Sequence, residues 1–273
     1  EETFRNIYTA IKFSSTDKNI KSIAITSTIP SEGKSLFSTL LGLNAAEIDK
    51  KILIIDSDLR RPSLHKKLEV DNVVGLSNII VDDQYDWRKC VNKLDTCPNL
   101  SYITGGKTPP NPIRLLDSKK MKDLVDKIYQ SKEFDLIIFD CPPLLGLADS
   151  LIVSQLVDGV ILTVSLDKVK KEMTYESIQK LKLSSTEVIG VVANTTKEPN
   201  NFISSKTKYN YYKYNYGYKN KYLPEEVNNA YLNTGLKNIE KDTSNGDSLS
   251  IKYANIIDKL KKIKNTFLDW LNE

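Results

Sequence analysis

Histidine and cysteine are scarce in this chain of 273 residues, and their scarcity excludes several kinds of chemistry. His65 is the only histidine, so we do not expect a serine–histidine pair or a histidine-based metal site. The three cysteines are an odd number without paired spacing: Cys90, Cys97 and Cys141. We therefore expect neither a disulfide framework nor a zinc site, and we expect a reducing compartment.

Long apolar runs and a strong charge imbalance are also missing. The longest apolar candidate, residues 151–166, is interrupted by Gln155 and Asp158 and falls short of the roughly 18 residues of a membrane span. The net charge is only +4, which does not require nucleic acid as a partner. The length allows one sizeable α/β core. The first residue is not methionine, so the sequence leaves open whether an upstream membrane anchor exists.

A phosphate-binding loop is predicted at residues 31–35, which read Ser-Glu-Gly-Lys-Ser and follow the apolar run at 23–25. A strand, a turn of small residues and Gly-Lys-Ser at the start of a helix together direct backbone N–H groups at phosphates. In such a loop Lys34 reaches the β and γ oxygens, and the Ser35 hydroxyl ligates Mg²⁺. Thr28 stands where the full motif has its first glycine, so the loop alone is weak evidence.

Acidic residues follow two further apolar runs and support this interpretation. Residues 52–55 lead into Asp56 and Asp58, and residues 136–139 lead into Asp140. Short runs rich in isoleucine are typical of strands buried on both faces of a parallel sheet, and ligands bind at the carboxyl ends of such strands. We therefore expect these carboxylates beside the phosphate loop, although ordinary strand-end turns also favour aspartate.

The order of elements predicts an α/β fold with a parallel sheet covered by helices on both faces. We expect strands at about 22–26, 51–56, 100–104, 134–140, 159–165 and 188–194, the last two of them buried. We expect helices over about 1–13, 34–49, 76–81, 113–116 and, capped by Ser118, up to 129, with another near Ser150. The predicted divisions of the chain are a P-loop domain at 1–196, a flexible tail at 197–223 and a helical extension at 224–273.

The composition changes after about residue 196, where asparagine, lysine, serine and tyrosine dominate. Half of the tyrosines fall in one short stretch: Tyr209, Tyr211, Tyr212, Tyr214, Tyr216, Tyr218 and Tyr222. With almost no aliphatic residues, this stretch is predicted to be a flexible, exposed tail. A stacking surface for single-stranded nucleic acid and a plain solvated linker are the alternatives. Apolar residues at steps of three and four over 253–270 predict a terminal amphipathic helix, whose role the sequence leaves open.

The chain resembles the bacterial tyrosine kinases, which are P-loop kinases of the MinD-like superfamily tied to capsule and exopolysaccharide export. The resemblance covers roughly residues 1–222. It rests on three motifs: Thr26-Ser27 followed by Pro30, Glu32, Gly33, Lys34 and Ser35 (Walker A), Asp56-x-Asp58-x-Arg60-Arg61-Pro62 (the second aspartate motif), and Asp140-x-x-Pro143 (Walker B). Residues 75–77 and 105–116 look like the intervening segments of the family, and the tyrosine-rich tail is similar to its autophosphorylation cluster.

The resemblance implies an ATP-dependent protein-tyrosine kinase that uses Mg²⁺ and autophosphorylates its tail. The implied catalytic residues are Lys34, Asp56, Asp58, Arg60 and Asp140. Among them, Asp56 would deprotonate the incoming tyrosine, and Arg60 would steady the acids or the phosphoryl group, unless it forms an ordinary surface ion pair. The implied nucleotide-binding residues are Pro30, Ser31, Glu32, Gly33, Lys34, Ser35, Leu36 and, on the adenine, Asn194. The implied metal ligands are Ser35, Asp58 and Asp140.

The resemblance also implies partners and a location. The partners are the tyrosine tail of a neighbouring copy in a homo-oligomer, and a membrane polysaccharide co-polymerase that activates the kinase, fused or separate. Specific nucleic acid is not among them. The implied location is the cytoplasm, at the inner face of the plasma membrane, where the kinase would regulate polymer synthesis and export.

Three departures from the family pattern bear on these expectations. Thr28 stands where alanine or glycine is usual, and Ser31 stands where glycine is common. If residue 31 needs a positive φ, serine costs about 1 kcal/mol there. The oligomerisation signature Glu-x-x-Arg-x-x-Arg keeps Glu2 and Arg5 but has Tyr8 in the last place, which leaves a weakened ring open. The chain also continues for about fifty residues beyond its tyrosine cluster at 209–222, further than is usual in the family.

Two alternative functions remain open from the sequence. A MinD/ParA-like switch ATPase would carry a lysine early in the loop, in Lys-Gly-Gly, but residues 29–32 are Ile, Pro, Ser and Glu. Such an ATPase also gives no reason for the tyrosine cluster. A degenerate scaffold that binds nucleotide poorly because of Thr28 and Ser31 is the second alternative.

Overall fold

The computed structural model describes residues 2–14, 19–82, 84–184 and 186–195. The predicted tyrosine-rich tail, the predicted helix near the end of the chain and the predicted division at 223 lie outside these residues. The strands are β1 (Ser22–Ser27), β2 (Ile52–Asp56), β3 (Asn92–Leu94), β4 (Cys97–Ile103), β5 (Leu136–Asp140), β6 (Gly159–Ser165) and β7 (Val188–Asn194). The helices are α1 (Glu2–Lys12), α2 (Lys34–Glu47), α3 (Leu64–Leu68), α4 (Leu76–Val81), α5 (Trp87–Cys90), α6 (Pro112–Leu116), α7 (Lys119–Ser131), α8 (Asp149–Ser154) and α9 (Lys171–Leu183).

The strands form one seven-stranded sheet in the order β3-β4-β2-β5-β1-β6-β7. Every neighbouring pair is parallel except β3 and β4, which pair antiparallel. The sheet is therefore mostly parallel, as predicted, with one short antiparallel strand at its edge. β3 was not predicted, because its three residues are mostly polar and exposed.

Successive side chains of the central strands point to opposite faces of the sheet, and those on both faces are mainly apolar. Both faces are therefore covered by helices. Ala24 and Leu53 belong to one apolar cluster, together with side chains of α4 and α7. Ile23 and Ile52 belong to the other cluster, together with side chains of α1 and α2. The continuous apolar runs seen in the sequence are thus explained by burial from both sides.

The edge strand β7 differs from the prediction. Val188–Asn194 has the predicted bounds, but its residues are half-buried rather than buried. Only β6 pairs with it, so one side of the strand lacks a neighbour in the described sheet. Among the described residues, no helix has the length and apolar character needed to cross a membrane.

The helix starts follow local signals. The Ser118 hydroxyl accepts a hydrogen bond from the backbone N–H of Met121 at 3.2 Å, as predicted for the cap of α7. The side chain of Asn111 accepts from the N–H of Arg114 at 3.1 Å, with Pro112 at the start of α6. α3, α5 and α9 were not predicted. α9 in particular buries few side chains, so its apolar periodicity is weak.

Candidate active site

The phosphate loop connects β1 to α2 and has residues with positive φ on both sides of Glu32. Gly33 has φ 87°, and a Cβ there would lie only 2.7 Å from Nδ2 of Asn194, so glycine is required. Ser31 also has a positive φ, 66°, so serine is strained at this position. Pro30, Ser31 and Leu36 are exposed, and their predicted contact with a nucleotide stays a prediction.

Lys34 lies at the centre of the candidate site. Its Nζ is 3.2 Å from Oδ2 of Asp58, 3.8 Å from Oδ1 of Asp140 and 3.2 Å from Oγ of Ser35. The residue is only 9% exposed. Burial lowers the pKa of the Lys34 ammonium, but Asp140 and Asp58 outweigh that effect and raise the pKa overall. Four residues that the sequence placed in one site are therefore brought together at the carboxyl edge of the sheet.

Asp140 is fully buried and incompletely bonded. Its Oδ1 accepts a hydrogen bond from the Ser38 hydroxyl at 3.4 Å, while its Oδ2 has no hydrogen-bond partner among the described residues. Burial raises the pKa of Asp140, and the nearby Lys34 ammonium opposes that rise. A buried carboxylate oxygen of this kind fits a ligand that brings positive charge or a proton donor.

The oxygen atoms around Lys34 suit Mg²⁺. Magnesium prefers oxygen ligands and usually keeps water and phosphate oxygens beside one or two carboxylates. Ser35, Asp58 and Asp140 supply one hydroxyl and two carboxylates of that kind. No cluster of three or more His, Cys, Asp or Glu side chains within the described part of the chain is arranged to hold a metal by itself.

Asp56 holds the turn that follows β2. Its Oδ2 accepts the backbone N–H groups of Ser63 and Leu64, each at 2.9 Å, and its Oδ1 accepts that of Asp58 at 3.2 Å. The side chain is fully buried. Burial, followed by the charge of Asp140, raises the pKa of Asp56 to about 7. This arrangement gives Asp56 a structural task, and its predicted role as a base stays a prediction.

Arg60 pairs with a buried acid. Its Nε is 3.0 Å from Oδ1 of Asp149, and its Nη2 is 3.2 Å from Oδ2 of the same carboxylate. Asp149 is fully buried at the start of α8, while the Arg60 side chain is partly exposed. The pair is therefore bidentate and half-buried rather than an ordinary surface pair. The structure shows Arg60 on this partner, and its predicted contact with phosphate stays a prediction.

Several site residues were missed from the sequence. The Ser63 hydroxyl donates to Oγ of Ser35 at 3.0 Å, so the end of the second aspartate motif touches the predicted metal ligand. Ser38 bonds to Asp140 as described above and lies one helical turn after Lys34, a spacing that could have identified it. Lys168 donates to the carbonyl of Ser31 at 3.0 Å, and no local pattern signalled this contact.

Three further groups of predicted residues lie outside the cluster around Lys34. Asn194 donates to the backbone carbonyl of Glu32 at 3.3 Å, which places it beside the phosphate loop, whereas its contact with adenine stays a prediction. Tyr8, which replaces an arginine of the oligomerisation signature, is only 6% exposed and packs in the core, while Arg5 is exposed. The seven tail tyrosines lie outside the described residues.

The loop, the helix that follows it and the two aspartates at neighbouring strand ends define a P-loop nucleotide-binding protein. Comparisons with known proteins agree. The septum site-determining protein MinD from Pyrococcus horikoshii OT3, solved with Mg-ADP, has a TM-score of 0.56 at 19% identity and covers 70% of this chain and 76% of its own. A likeness at that identity concerns the fold alone.

More similar proteins narrow the class. Tyrosine-protein kinase YwqD of Bacillus subtilis (strain 168) is 35% identical over 211 residues, which are 77% of this chain and 85% of YwqD. Tyrosine-protein kinase CpsD of Streptococcus agalactiae serotype III is 31% identical over 199 residues, 72% of this chain and 83% of CpsD. The solved kinase domain of the Escherichia coli tyrosine kinase ETK has a TM-score of 0.67 at 27% identity, covering 74% of this chain and 79% of that domain.

This chain belongs to the bacterial tyrosine kinases. It is a protein-tyrosine kinase rather than a switch ATPase, and its P-loop fold indicates the use of a nucleotide. No protein-family model matches the chain.

Proposed function

We propose that the chain binds MgATP on residues 30–36 and transfers the γ-phosphoryl group to the tail tyrosines of a neighbouring copy. The observation that supports this proposal best is the position of Lys34 Nζ, which lies beside Ser35, Asp58 and Asp140. Phosphoryl transfer is catalysed mainly by positioning and by positive charge near the phosphates, and this cluster can supply both.

Each residue of the cluster has a task in this proposal. Lys34 holds the β and γ oxygens once they replace the carboxylates as its partners. Ser35, Asp58 and Asp140 hold Mg²⁺, directly or through water, and the ion neutralises charge on the phosphates. Asn194, at the end of β7, contacts the adenine.

The reaction moves one phosphoryl group and one proton. The phenolic oxygen of a tyrosine forms a bond to the γ-phosphorus while the bond from that phosphorus to the ADP oxygen breaks. A free phenol has a pKa of about 10 and keeps its proton at neutral pH, so a carboxylate must accept it. We assign that proton to Asp56, whose raised pKa makes its carboxylate the stronger base.

Phosphorylation would also change the tail and its partners. Each phosphate adds about −1.5 to −2 charges, so seven would reverse the sign of a lysine-rich tail. That reversal would dissociate a homo-oligomer in which one copy's tail lies in the site of the next. By similarity to its relatives, we assign the kinase to capsule or exopolysaccharide polymerisation and export, at the inner membrane face with a membrane co-polymerase, fused or separate.

The proposal is tested by mixing two variants, neither of which can phosphorylate its own tail. One carries Lys34→Met with the tail intact, and the other carries Tyr→Phe at all seven tail positions with the site intact. After incubation with MgATP, phosphotyrosine should appear on the tail of the Lys34→Met chain only in the mixture.

Other results would contradict parts of the proposal. Phosphate on the wild-type tail but not in the mixture would exclude transfer between copies. Lys34-dependent ATP hydrolysis without any phosphotyrosine, with the proposed membrane co-polymerase present as well as without it, would contradict the kinase reaction itself.

A further inference from the structure

Glu32 lies inside the phosphate loop, yet its side chain is turned into the protein. The residue is 1% exposed. Its Oε2 accepts the backbone N–H of Ile29 at 2.6 Å, and its Oε1 accepts the backbone N–H of Ser165 at 2.8 Å. Bonds from N–H groups to a carboxylate are stronger than those to a neutral acceptor, so one side chain joins the start of the loop to the end of β6.

Two further contacts tie the same part of the loop to the edge of the sheet. Asn194, the last residue of β7, donates from Nδ2 to the carbonyl of Glu32 at 3.3 Å. Lys168, which follows β6, donates from Nζ to the carbonyl of Ser31 at 3.0 Å. The segment around Glu32 is thus held from outside by the ends of β6 and β7.

The loop needs an external support because its conformation is strained. Ser31 and Gly33, on either side of Glu32, both have positive φ, and a non-glycine residue in that region is disfavoured. A loop that gathers its backbone N–H groups around an anion also brings like dipoles together. Such a conformation persists only where the surroundings fix it.

The charge of Glu32 cannot explain its presence beside a phosphate site. Burial raises the pKa of Glu32, and the hydrogen bonds from Ile29 and Ser165 favour its charged form. A carboxylate near the phosphates repels them, so on charge alone it would weaken nucleotide binding. Its contribution must therefore come from geometry.

We propose that Glu32 is a positioning residue that presets the phosphate loop by clamping residues 29–33 to the end of β6. This inference rests on the proposed binding of MgATP and adds a task for a side chain that does not itself face the phosphates. Without these hydrogen bonds the chain still folds, but the loop must be ordered when the nucleotide binds. The free energy needed for that ordering weakens binding.

The test compares nucleotide binding in variants at two carboxylates. In Glu32→Gln the amide cannot accept from both N–H groups, so the Kd for MgADP by calorimetry and the KM for MgATP should rise about tenfold while kcat changes little. In Glu32→Asp the charge is kept but the side chain is too short to reach both groups, and the same loss is expected. If Glu32→Gln does not fold, Glu32→Asp carries the test alone.

Asp158→Ala is the matched control, because both N–H groups bond to the same oxygen of Asp158, and asparagine would keep that acceptor. Asp158 accepts the backbone N–H groups of Lys21 and Ser22, each at 2.8 Å, at the opposite edge of the same sheet. This variant should lose a similar amount of stability while its Kd for MgADP stays that of the wild type.

Three results would overturn the inference. The first is a Kd for MgADP that is unchanged or lower in folded Glu32→Gln. The second is a Glu32→Asp chain that binds like the wild type. The third is an equal loss of affinity in Asp158→Ala, which would indicate a general effect of stability. A wild-type chain that does not bind MgADP would instead contradict the proposed function.

Discussion

At the amino edge of the central sheet, carboxylates bind backbone N–H groups that begin strands. Asp158 accepts those of Lys21, which precedes β1, and of Ser22, the first residue of β1, and Asp135 accepts that of Lys51 before β2. At the carboxyl edge, Asp58 and Asp140 crowd around the ammonium of Lys34, and one oxygen of Asp140 has no hydrogen-bond partner among the described residues.

The contrast separates a structural edge from a ligand-binding edge. At the amino edge, the hydrogen-bond partners of the carboxylates are backbone N–H groups of the protein itself, and these bonds contribute to stability by holding distant segments together. At the carboxyl edge burial raises the pKa of Asp56 and of Asp140, so these groups are held in a costly environment. Clusters of buried groups with shifted pKa values are typical of functional sites, where a bound ligand supplies the charge or hydrogen bonds that the protein does not.

The largest effect should come from Lys34→Met. Without the ammonium, Asp58 and Asp140 keep buried charge with no counter-ion, so the free energy of unfolding should fall by about 3 kcal/mol in urea denaturation. Phosphotyrosine formation should fall at least about 100-fold. Mg²⁺ without nucleotide should stabilise this variant more than the wild type, because the cation can replace the missing charge.

Lys12→Met provides the control at the amino edge. Lys12 donates from Nζ to the carbonyl of Ile20 at 2.6 Å and to that of Asp135 at 3.0 Å. Its loss should lower stability by about 1 kcal/mol and leave nucleotide binding intact. If Lys34→Met unfolds at the wild-type urea midpoint, the Lys34 ammonium does not stabilise the carboxylates at the carboxyl edge. The proposed difference between the two edges of the sheet would then be wrong.

A smaller effect is expected at Arg60. Arg60→Ala removes the partner of buried Asp149, so the free energy of unfolding should fall by about 2 kcal/mol. If Arg60 also acts on the phosphoryl group, its kcat should fall further than that of Asp149→Asn, measured well below the melting temperature. Equal kcat values for the two variants would assign Arg60 to structure alone.

Ser31→Gly should stabilise the carboxyl edge. Glycine removes the strain of a positive φ, so stability should rise by about 1 kcal/mol and the melting temperature by about 2–4 °C. Glu69→Gly, at φ 55° outside the site, is the matched control. Both should gain stability, and only Ser31→Gly should alter the Kd for MgADP. A loss of stability in Ser31→Gly would show that serine makes a contact that offsets its strain.

The last prediction concerns pH and Tyr8. Burial, followed by the charge of Asp135, raises the pKa of Tyr8 to about 12, above its ordinary value of 10.0. Between these values the unfolded chain loses the phenol proton while the folded chain keeps it, so the stability present below pH 10 is lost as the pH rises towards 12. Tyr8→Phe should show a shallower decline in urea denaturation over this range.

Tyr175→Phe, at an exposed position, should decline like the wild type. The same steep decline in Tyr8→Phe would mean that another group causes it.

Much of the fold could be predicted because its strands are unusually clear. β6 and β7 have the predicted bounds since branched apolar residues dominate both, and α4 also begins and ends as predicted. β3 and α9 were missed because polar residues dominate them, and their positions depend on pairing or packing with distant segments.

The candidate site shows the same division. Lys34, Ser35, Asp58 and Asp140 meet because parallel strands end at one edge, a consequence of topology that the sequence pattern reveals. The partner of Arg60 is 89 positions away along the chain, and the Ser165 N–H that Glu32 accepts is 133 positions away. Side-chain directions of this kind depend on tertiary packing and leave no local pattern.

The most direct test of the kinase assignment is the mapping of phosphotyrosine by mass spectrometry after incubation with MgATP, in the intact chain and in Lys34→Met. We expect phosphate within residues 209–222 of the intact chain and none in the variant. An intact chain that binds MgATP but acquires no phosphotyrosine, with or without the proposed co-polymerase, or equal phosphorylation of the Lys34→Met variant, would contradict the assignment of tyrosine phosphorylation to this site.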